Sequence, residues 1–205
     1  MAKTLGTAGG QSGGPRAQDA ADGGAHDGGA HDGGGLSSAG LAQVRRQKGP
    51  PPVHLWDPPF CGDIDMVIKR DGTWWHEGSP IGRQPLVNLF AGILKREGED
   101  YFLVTPVEKV GIKVEDTPFI AVDVDQTAEG FLFTTNTGDK FAAGPENAVV
   151  VTTDAQGTPA PRVHVRRGLW ARIDRKTFYR LVAAATVEDG VTGIRAGGQF
   201  FPLEG

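Results

Sequence analysis

Two arginines stand at positions where they could bind an anion. Arg83 and Arg175 each begin a segment whose apolar residues have helical spacing. The first turn of a helix has free backbone N–H groups and the positive end of the helix dipole, and both favour negative charge. A guanidinium adds paired donors that suit phosphate or carboxylate oxygens. The alternative is a local ion pair, of Arg83 with Glu77 and of Arg175 with Asp174.

A strongly basic stretch runs from residue 162 to residue 180. Arg162, His164 and Arg166 alternate with valines there, so we expect them to share one face of a strand. That face could bind a phosphate group or an acidic protein partner, and we include Arg166 among the candidate ligand-binding residues. An ordinary solvated sheet face is the alternative. The stretch holds one acid, Asp174, against seven basic residues: Arg162, Arg166, Arg167, Arg172, Arg175, Lys176 and Arg180.

Four further residues are candidates for ligand binding. Two adjacent tryptophans in a predicted strand must point to opposite faces, and we assign Trp75 as the ring that could stack on a base. Glu108 and Lys109 follow a strand and offer both charges from one loop, although a plain turn explains them equally well. Asp63 shares a strand face with Asp65, but two carboxylates without a third ligand make a poor metal site. We predict no metal and no cofactor.

Recognisable catalytic motifs are missing from the sequence. It has no nucleophile elbow, no phosphate-cradling Walker loop, no zinc-protease helix and no dinucleotide fingerprint. Ser79 follows His76 by three residues, yet a proline comes next and no orienting acid is evident. An enzyme would need an unfamiliar site built on Asp63, Glu108 or His76. The sequence therefore favours a protein without catalytic residues.

The spacing of apolar residues predicts the elements that position these side chains. Residues 64–68 alternate as in a half-buried strand, and Asp71-Gly72 predicts a hairpin turn after it. A helical stripe over residues 86–94 predicts a helix that ends at Gly98. Residues 107–153 are typical of a meander of short strands, and a second helix lies around residues 178–185.

The two helical segments superpose without a gap when the sequence is shifted by 92 residues. Amphipathic helices share apolar spacing by chance, but amphipathicity does not require the equal offset of an arginine and a glycine. We therefore predict a duplicated unit, whose equivalent residues would face each other across a cleft between the two copies. Ile81, Arg83, Leu86, Leu89 and Gly98 coincide with Ile173, Arg175, Phe178, Leu181 and Gly190.

These patterns predict an α+β protein, a tandem duplication of a strand–helix–strand unit with mainly antiparallel sheets. Residues 1–49 read as an unstructured tail, since they hold 14 of the 31 glycines and no aromatic residue. Within this tail, a repeated Ala-His-Asp-Gly-Gly could hold a metal weakly, although low complexity is the simpler interpretation. Residues 50–106 form the first unit. Residues 107–205 form a second, strand-rich unit that ends in a helix and a hairpin.

Charge and cysteine content exclude several classes of protein. The net charge is −4 and the tail contributes +1, which leaves −5 for the rest, so a general nucleic-acid binder is not expected. Cys61 is the only cysteine, so no intrachain disulfide can form. It could be a redox-responsive thiol, although an isolated cysteine in an apolar-flanked segment is more often a small core residue. The sequence has no apolar run of membrane-spanning length and no signal peptide. We expect a cytoplasmic protein without membrane insertion.

Five sequence motifs point to a known family; they span residues 58–66, 71–74, 80–83, 101–112 and 135–139. These motifs resemble a bacterial family, domain of unknown function 1285. The resemblance runs from about Pro51 to the C-terminus. It implies a duplicated α+β core, a second half loosely like a pleckstrin-homology fold, a nucleotide-type ligand at the interface of the halves and a signalling role. It implies no catalytic residues, and it makes the loop around Glu108 a candidate rim of the site.

The function that the sequence favours is sensing of a small phosphate-bearing molecule between the two halves. Arg83 and Arg175 would neutralise its charge, and Trp75 would cover a base. The candidate partners are thus a small anionic or nucleotide-type ligand or, alternatively, an acidic protein bound by residues 162–180. An enzyme with an unrecognised site is the third possibility.

Overall fold

The computed structural model describes residues 36–47, 49–153 and 157–204. These residues form two six-stranded mixed sheets, one three-stranded sheet and three nine-residue α-helices. The described part of the chain is therefore mostly β, and the expected α+β class overstates its helical content. None of its helices is long and apolar enough to cross a membrane. The helices are α1 Ser38–Arg46, α2 Gln84–Gly92 and α3 Arg175–Ala183.

The first sheet is built around one parallel pair of strands. Its strands follow the order β3-β2-β1-β6-β5-β4; β1 runs parallel to β6, and the other neighbouring pairs are antiparallel. The predicted alternation holds in β1, where Met66 and Ile68 are buried and Asp65 is exposed. The strands are β1 Phe60–Ile68, β2 Trp74–His76, β3 Ser79–Pro80, β4 Leu94–Glu97, β5 Asp100–Val104 and β6 Lys109–Val114.

The second sheet repeats this plan. Its order is β10-β11-β12-β7-β8-β9, with β12 parallel to β7 and antiparallel pairs elsewhere. The resemblance to a pleckstrin-homology fold implies a barrel-like second half, but in the described residues β10 and β9 are edge strands, so the sheet is open and forms no closed barrel. The strands are β7 Phe119–Thr127, β8 Gly130–Thr135, β9 Lys140–Ala142, β10 Val149–Thr153, β11 Pro159–Arg166 and β12 Leu169–Ile173.

A helix followed by a three-stranded meander occurs twice. After α2 come β4, β5 and β6, which join the first sheet. After α3 come β13 Thr186–Glu188, β14 Val191–Ala196 and β15 Gln199–Pro202, which form a sheet of their own. The two helices begin 91 residues apart (84 and 175), and the strands that follow them begin 92 apart (94 and 186). The shift read from the sequence therefore matches equivalent elements.

Helix α2 ends earlier than the apolar stripe predicts. It stops at Gly92, and Leu94 begins β4, although Ile93 and Leu94 are fully buried as core residues. Gly98 does not terminate the helix; it takes φ +62° in the turn between β4 and β5, and Gly190 takes φ +83° between β13 and β14. A short helix and the strand after it can bury one continuous apolar run, which periodicity alone cannot divide.

The segment before residue 50 is not wholly an unstructured tail. Residues 38–46 form α1, whose N-cap Ser37 accepts a hydrogen bond from the Gly40 N–H. Leu41 and Val44 pack against the core, and this tertiary contact stabilises a helix that local composition does not predict. The repeated His-Asp tract at residues 26–32 lies outside the described residues.

The boundary between the two units also differs from the expected one. Residues 107–205 were expected to form the second unit, but β6 at Lys109–Val114 lies between β1 and β5 in the first sheet. The chain passes to the second sheet only after β6, through residues 115–118. A parallel partner distant in sequence leaves no local signal, because each strand of the pair has the same alternation whichever sheet it joins.

The β1–β2 turn connects the two sheets. A Cβ added to Gly72, which has φ +82°, would lie 2.8 Å from Ile120 Cδ1 and 2.9 Å from Asn136 Nδ2. Asn136 Nδ2 donates to the Gly72 carbonyl at 3.3 Å, and Arg172 donates to the Arg70 carbonyl at 3.1 Å. The tip of the first hairpin therefore packs on β7 and β12 of the second sheet and on the loop after β8.

Replacing Gly72 with alanine should lower the free energy of unfolding by about 2–4 kcal/mol. Positive φ accounts for about 1–2 kcal/mol and overpacking against the second sheet for about 1–3 kcal/mol. Gly78 is the matched control, because it has φ +71° but open space around its Cα, so Gly78→Ala should show the strain alone. Urea denaturation measures both variants. Equal losses would contradict the tight contact at the hairpin tip.

Candidate anion-binding groove

A wide groove opens beside the docked hairpin tip. Its volume is about 930 Å³, and both sheets contribute to its walls. Arg70 and Asp71 of the β1–β2 turn lie on one side, and Asp116 lies in the segment between the two sheets. The opposite wall consists of residues 158–162 around the start of β11, the end of β12 and the first turns of α3.

One carboxylate organises the cations of this groove. Asp116, whose side chain is only 15% exposed, pairs with Arg162 at 2.7 Å and with Arg172 at 3.7 Å. Arg162 and Arg172 face each other across β11 and β12, which explains how they share this partner. The Nε atoms of both arginines are buried without an acceptor among the described residues. Two guanidiniums thus share one negative charge.

Arg175 lies in the groove at the beginning of α3. It is exposed, its Nε donates to the Tyr179 hydroxyl at 2.8 Å, and its guanidinium lies 5.4 Å from the centre of the Tyr179 ring. Asp174 is the N-cap and accepts from the Thr177 N–H at 2.7 Å. No ion pair joins Arg175 to an acid in the part of the chain that the structure describes, so its charge remains available to a ligand.

Arg83 does not line this groove. It is the N-cap of α2, it is exposed, and its side chain makes no hydrogen bond to the described residues. The neighbouring Gln84 contacts the Asn136 carbonyl instead, which places the start of α2 beside the β8–β9 turn. The structure therefore brings only one of the two predicted arginines to the groove.

Arg166 has a role in packing the two sheets together. Its guanidinium donates to the Ala91 carbonyl in the last turn of α2 at 2.8 Å and pairs with Asp139 at 3.2 Å. It also lies 5.1 Å from the centre of the buried Phe119 ring. A cation is favourable at a helix C-terminus, where the backbone carbonyls lack partners. These contacts leave Arg166 few donors for a ligand.

The rest of the basic stretch divides into paired and unpaired residues. Arg180 pairs with Asp123 and, at 3.7 Å, with Asp125, both on β7. Arg167 and Lys176 are exposed and have no ion pair to described residues. Four of the seven basic residues between residues 162 and 180 therefore pair with acids among the described residues, a pattern that favours the solvated sheet face.

The side chains of Glu108 and Lys109 both have partners within the protein. Glu108 is 9% exposed and accepts from Ser37 before α1. Lys109 pairs with Glu97 at 3.0 Å, and its ammonium lies 4.8 Å from the centre of the Phe102 ring. Hydrogen bonds and charge from Lys95 and then Lys109 lower the pKa of Glu97 below its ordinary value.

Trp75 and Asp63 lie on the first sheet, outside the groove. Trp75 is half-buried, and its Nε1 donates to Thr73 Oγ1 at 2.9 Å, whereas its neighbour Trp74 is buried and stacks on Phe90. Asp63 is exposed on β1 opposite Gly111 of β6. Among the described residues, no group of three or more His, Cys, Asp or Glu side chains could hold a metal ion.

Other residues differ from what the sequence suggested. Cys61 is exposed and is not a small core residue, because it lies near the start of β1, where the strand is exposed to solvent. Arg70, Asp116 and Arg172 line the groove but were not among the candidate site residues. Arg172 lies in the basic stretch, so the sequence weakly indicated that it could bind an anion. Nothing in the sequence indicated such a role for Arg70 in the hairpin turn or for Asp116 in the segment between the sheets.

Comparison with known proteins assigns the family. Residues 51–117 match the model of the N-terminal domain of a domain of unknown function, DUF1285, and residues 118–203 match the C-terminal domain of the same family. The chain belongs to the DUF1285 family. In these terms, Arg70, Asp71 and Asp116 belong to the N-terminal domain, and the opposite wall of the groove belongs to the C-terminal domain.

Two solved DUF1285 proteins resemble this chain. One from Silicibacter pomeroyi DSS-3 is 54% identical, with a TM-score of 0.74, over 80% of this chain and 93% of that protein. One from Shewanella baltica OS155 is 28% identical, with a TM-score of 0.49, over 58% of this chain and 90% of that protein. No curated protein matches the sequence.

The Arg166→Gln substitution should lower the free energy of unfolding by about 2 kcal/mol. The change removes a charge-assisted hydrogen bond to a helix carbonyl and an ion pair. Arg167→Gln, at the adjacent exposed position, is the control and should change stability by no more than about 0.5 kcal/mol. Thermal or urea unfolding compares the two. If Arg166→Gln were as stable as the control, the guanidinium would be free for another role.

The Glu97 carboxyl provides a test of the Lys109 contact. Because its pKa is lowered by folding, the Glu97 carboxylate stabilises the fold at any pH above 4.5, the ordinary pKa of glutamate. This contribution to stability disappears as the pH falls through the lowered pKa of the folded state. Lys95→Met and Lys109→Met should each raise the pKa of Glu97, the first by more. Carboxyl NMR titration measures the shift. An unchanged pKa in Lys109→Met would mean that Lys109 does not contact Glu97 in solution.

Proposed function

We propose that this DUF1285 protein binds a small phosphate-bearing molecule in the groove between its two domains. The observation that supports this is the excess of guanidinium groups there. Arg70, Arg162, Arg172 and Arg175 line the groove together with Asp71 and Asp116, so its formal charge is +4 − 2 = +2 in a chain whose net charge is −4. A basic concavity on an acidic protein attracts anions selectively, because its walls concentrate the field.

Arg175 and Arg70 would make the direct contacts with the anion. Arg162 and Arg172 are partly neutralised by Asp116, whereas neither Arg70 nor Arg175 has an ion pair through its side chain among the described residues. Arg175 also stands at the start of α3, where the dipole adds to its charge. The Asp71 carboxylate accepts from the N–H and hydroxyl of Thr73, and these bonds hold it within its own turn.

The apolar part of the groove suits the organic portion of a nucleotide-type ligand. Phe178 and Tyr179 line it beside Arg175, and Tyr179 is 56% exposed, so one aromatic face is accessible for stacking on a base. This assigns to Tyr179 the stacking role expected of Trp75. The volume of the groove is at the upper end of the range found for small-molecule sites, about 300–1,000 Å³.

A signalling role would follow from the position of the groove. Arg70 belongs to the N-terminal domain and Arg175 to the C-terminal domain, so an anion bound to both would link the domains. Ligand binding would then favour one relative placement of the domains, as a population shift requires. We further propose that the two domains arose by duplication, since the helix and meander recur with a shift of 91 to 92 residues.

Isothermal titration calorimetry with inorganic phosphate, AMP and ATP tests the proposal. We expect heat from at least one of these anions, and we expect Arg175→Gln to weaken binding about tenfold or more, as the loss of a charge-assisted hydrogen bond implies. Binding should also weaken as the salt concentration rises.

The control for this experiment is Arg83→Gln, which also changes an exposed arginine at the start of a nine-residue helix but lies outside the groove. It should bind as the wild type does. Absence of heat from all three anions, or equal affinities of wild type and Arg175→Gln, would reject the proposal. Loss in Arg83→Gln alone would move the site to α2.

A further inference from the structure

The buried carboxylate of Glu108 has all its side-chain hydrogen bonds to the segment before residue 50. Its Oε1 accepts from the Ser37 N–H at 2.8 Å and from the Ser37 hydroxyl at 2.6 Å. Glu108 is 9% exposed, and none of the ion pairs among the described residues includes it. A buried carboxylate requires donors, and here the N-cap residue of α1, Ser37, supplies both of them.

The Thr105–Glu108 turn fixes the backbone of Glu108 without any contribution from α1. The Thr105 N–H donates to the Glu108 carbonyl at 2.9 Å, and the Glu108 N–H donates to Thr105 Oγ1 at 3.2 Å. The Glu108 side chain lies at the N-terminus of α1, on the cap residue Ser37. Helix α1 has no acid of its own in its first turn, so Glu108 supplies the negative charge that the dipole favours.

Gly40 allows α1 to approach this turn closely. A Cβ at residue 40 would lie 2.7 Å from Glu108 Oε1 and 2.7 Å from Thr105 Oγ1. Glycine inside a helix is normally unfavourable relative to alanine. At this position the side chains of Glu108 and Thr105 leave no room for a Cβ unless they shift.

An apolar groove continues from the Glu108 turn along α1. Leu36 and Leu41 face Ile64 and Met66 of β1 and Leu86 and Phe90 of α2, and Val44 is buried further along. A cavity of about 200 Å³ remains between them. The helix is therefore anchored specifically at its N-terminus but fills the groove incompletely.

Helix α1 is separable from the domain that it covers. It ends at Arg46, before the first residue matched to the DUF1285 N-terminal domain, residue 51. An isolated helix of nine residues is not stable in water, so α1 depends on the groove for its structure. The segment is short, lies outside the matched domain and is helical in a groove, where its N-terminus and its apolar side chains make the contacts. These are the features of a bound helical peptide.

We infer that the groove and Glu108 form a peptide-docking site of the N-terminal domain. Its ligand is the chain's own segment 36–46, bound in cis. Recognition requires a Ser-capped helix start, a glycine three residues after the cap, and apolar residues at the positions of Leu36, Leu41 and Val44.

Fluorescence anisotropy with full-length protein tests this inference. The probe is an acetylated peptide of residues 36–47 with a fluorophore at its C-terminus. Gly40→Val in the protein should displace the cis segment, because the larger side chain collides with Glu108 and Thr105. We expect this variant to bind the peptide at least tenfold more tightly than the wild-type protein, in which the cis segment competes.

Ala39→Val is the matched control in the protein. Residue 39 is exposed on the same helix, so the cis segment should remain bound and the peptide affinity should equal that of the wild type. Ser37→Asp is a second way to displace the segment: aspartate is also a good N-cap, but its charge would face Glu108. It should therefore behave like Gly40→Val.

Three outcomes would overturn the inference. The first is that the peptide binds neither Gly40→Val nor Ser37→Asp. The second is that adding Glu108→Gln to Gly40→Val leaves the peptide affinity unchanged, where we expect a loss of about tenfold or more. The third is that both displaced variants lose cooperative thermal unfolding, since α1 would then be an integral part of the core. A peptide carrying Gly40→Val must also fail to bind.

Discussion

The Asp116 carboxylate is the interaction on which the join between the two domains depends. It lies in the short segment between the last strand of the first sheet and the first strand of the second, and it binds two guanidiniums from β11 and β12. Removing a nearly buried carboxylate would leave two arginines close together without compensation, which is strongly unfavourable. Because Arg172 also holds the carbonyl of Arg70, this one charge positions the hairpin tip and the wall of the groove together.

Arginines cross the boundary between the domains in both directions. Arg166 and Arg172 of the C-terminal domain donate to carbonyls of Ala91 and Arg70, and Arg96 of the N-terminal domain donates to the carbonyl of Gly168. Each guanidinium donates to a backbone carbonyl at a turn or a helix end, where carbonyls have fewer partners within the secondary structure. The same chemistry that suits anion binding thus stabilises the interface. This is why a count of basic residues overestimates the binding surface, and why the uncommitted charges of Arg70 and Arg175 define the candidate site.

The sequence predicted local elements better than their partners. Side-chain spacing and turn chemistry predicted the alternation in β1, the hairpin turn at Gly72 and the beginnings of α2 and α3. The structure contains all of these elements. The end of α2 was placed too late, because Ile93 and Leu94 are buried whether the chain is helical or extended there. Helix α1 was missed for the opposite reason: its stability comes from Glu108, a residue 71 positions away from Ser37. Of the candidate site, Arg175 was found and Arg70 and Asp116 were not.

The sequence alone determined the family to which the chain belongs and the recurrence at about 92 residues. It also determined that a guanidinium stands at each of two helix starts. The tertiary structure decided which of those guanidiniums lines a groove, which arginines of the basic stretch are paired, and which sheet receives β6. The physical reason is range. Backbone propensity and apolar periodicity act over a few residues, whereas ion pairs and parallel strand pairing join positions tens of residues apart, and only the folded chain brings them within contact distance.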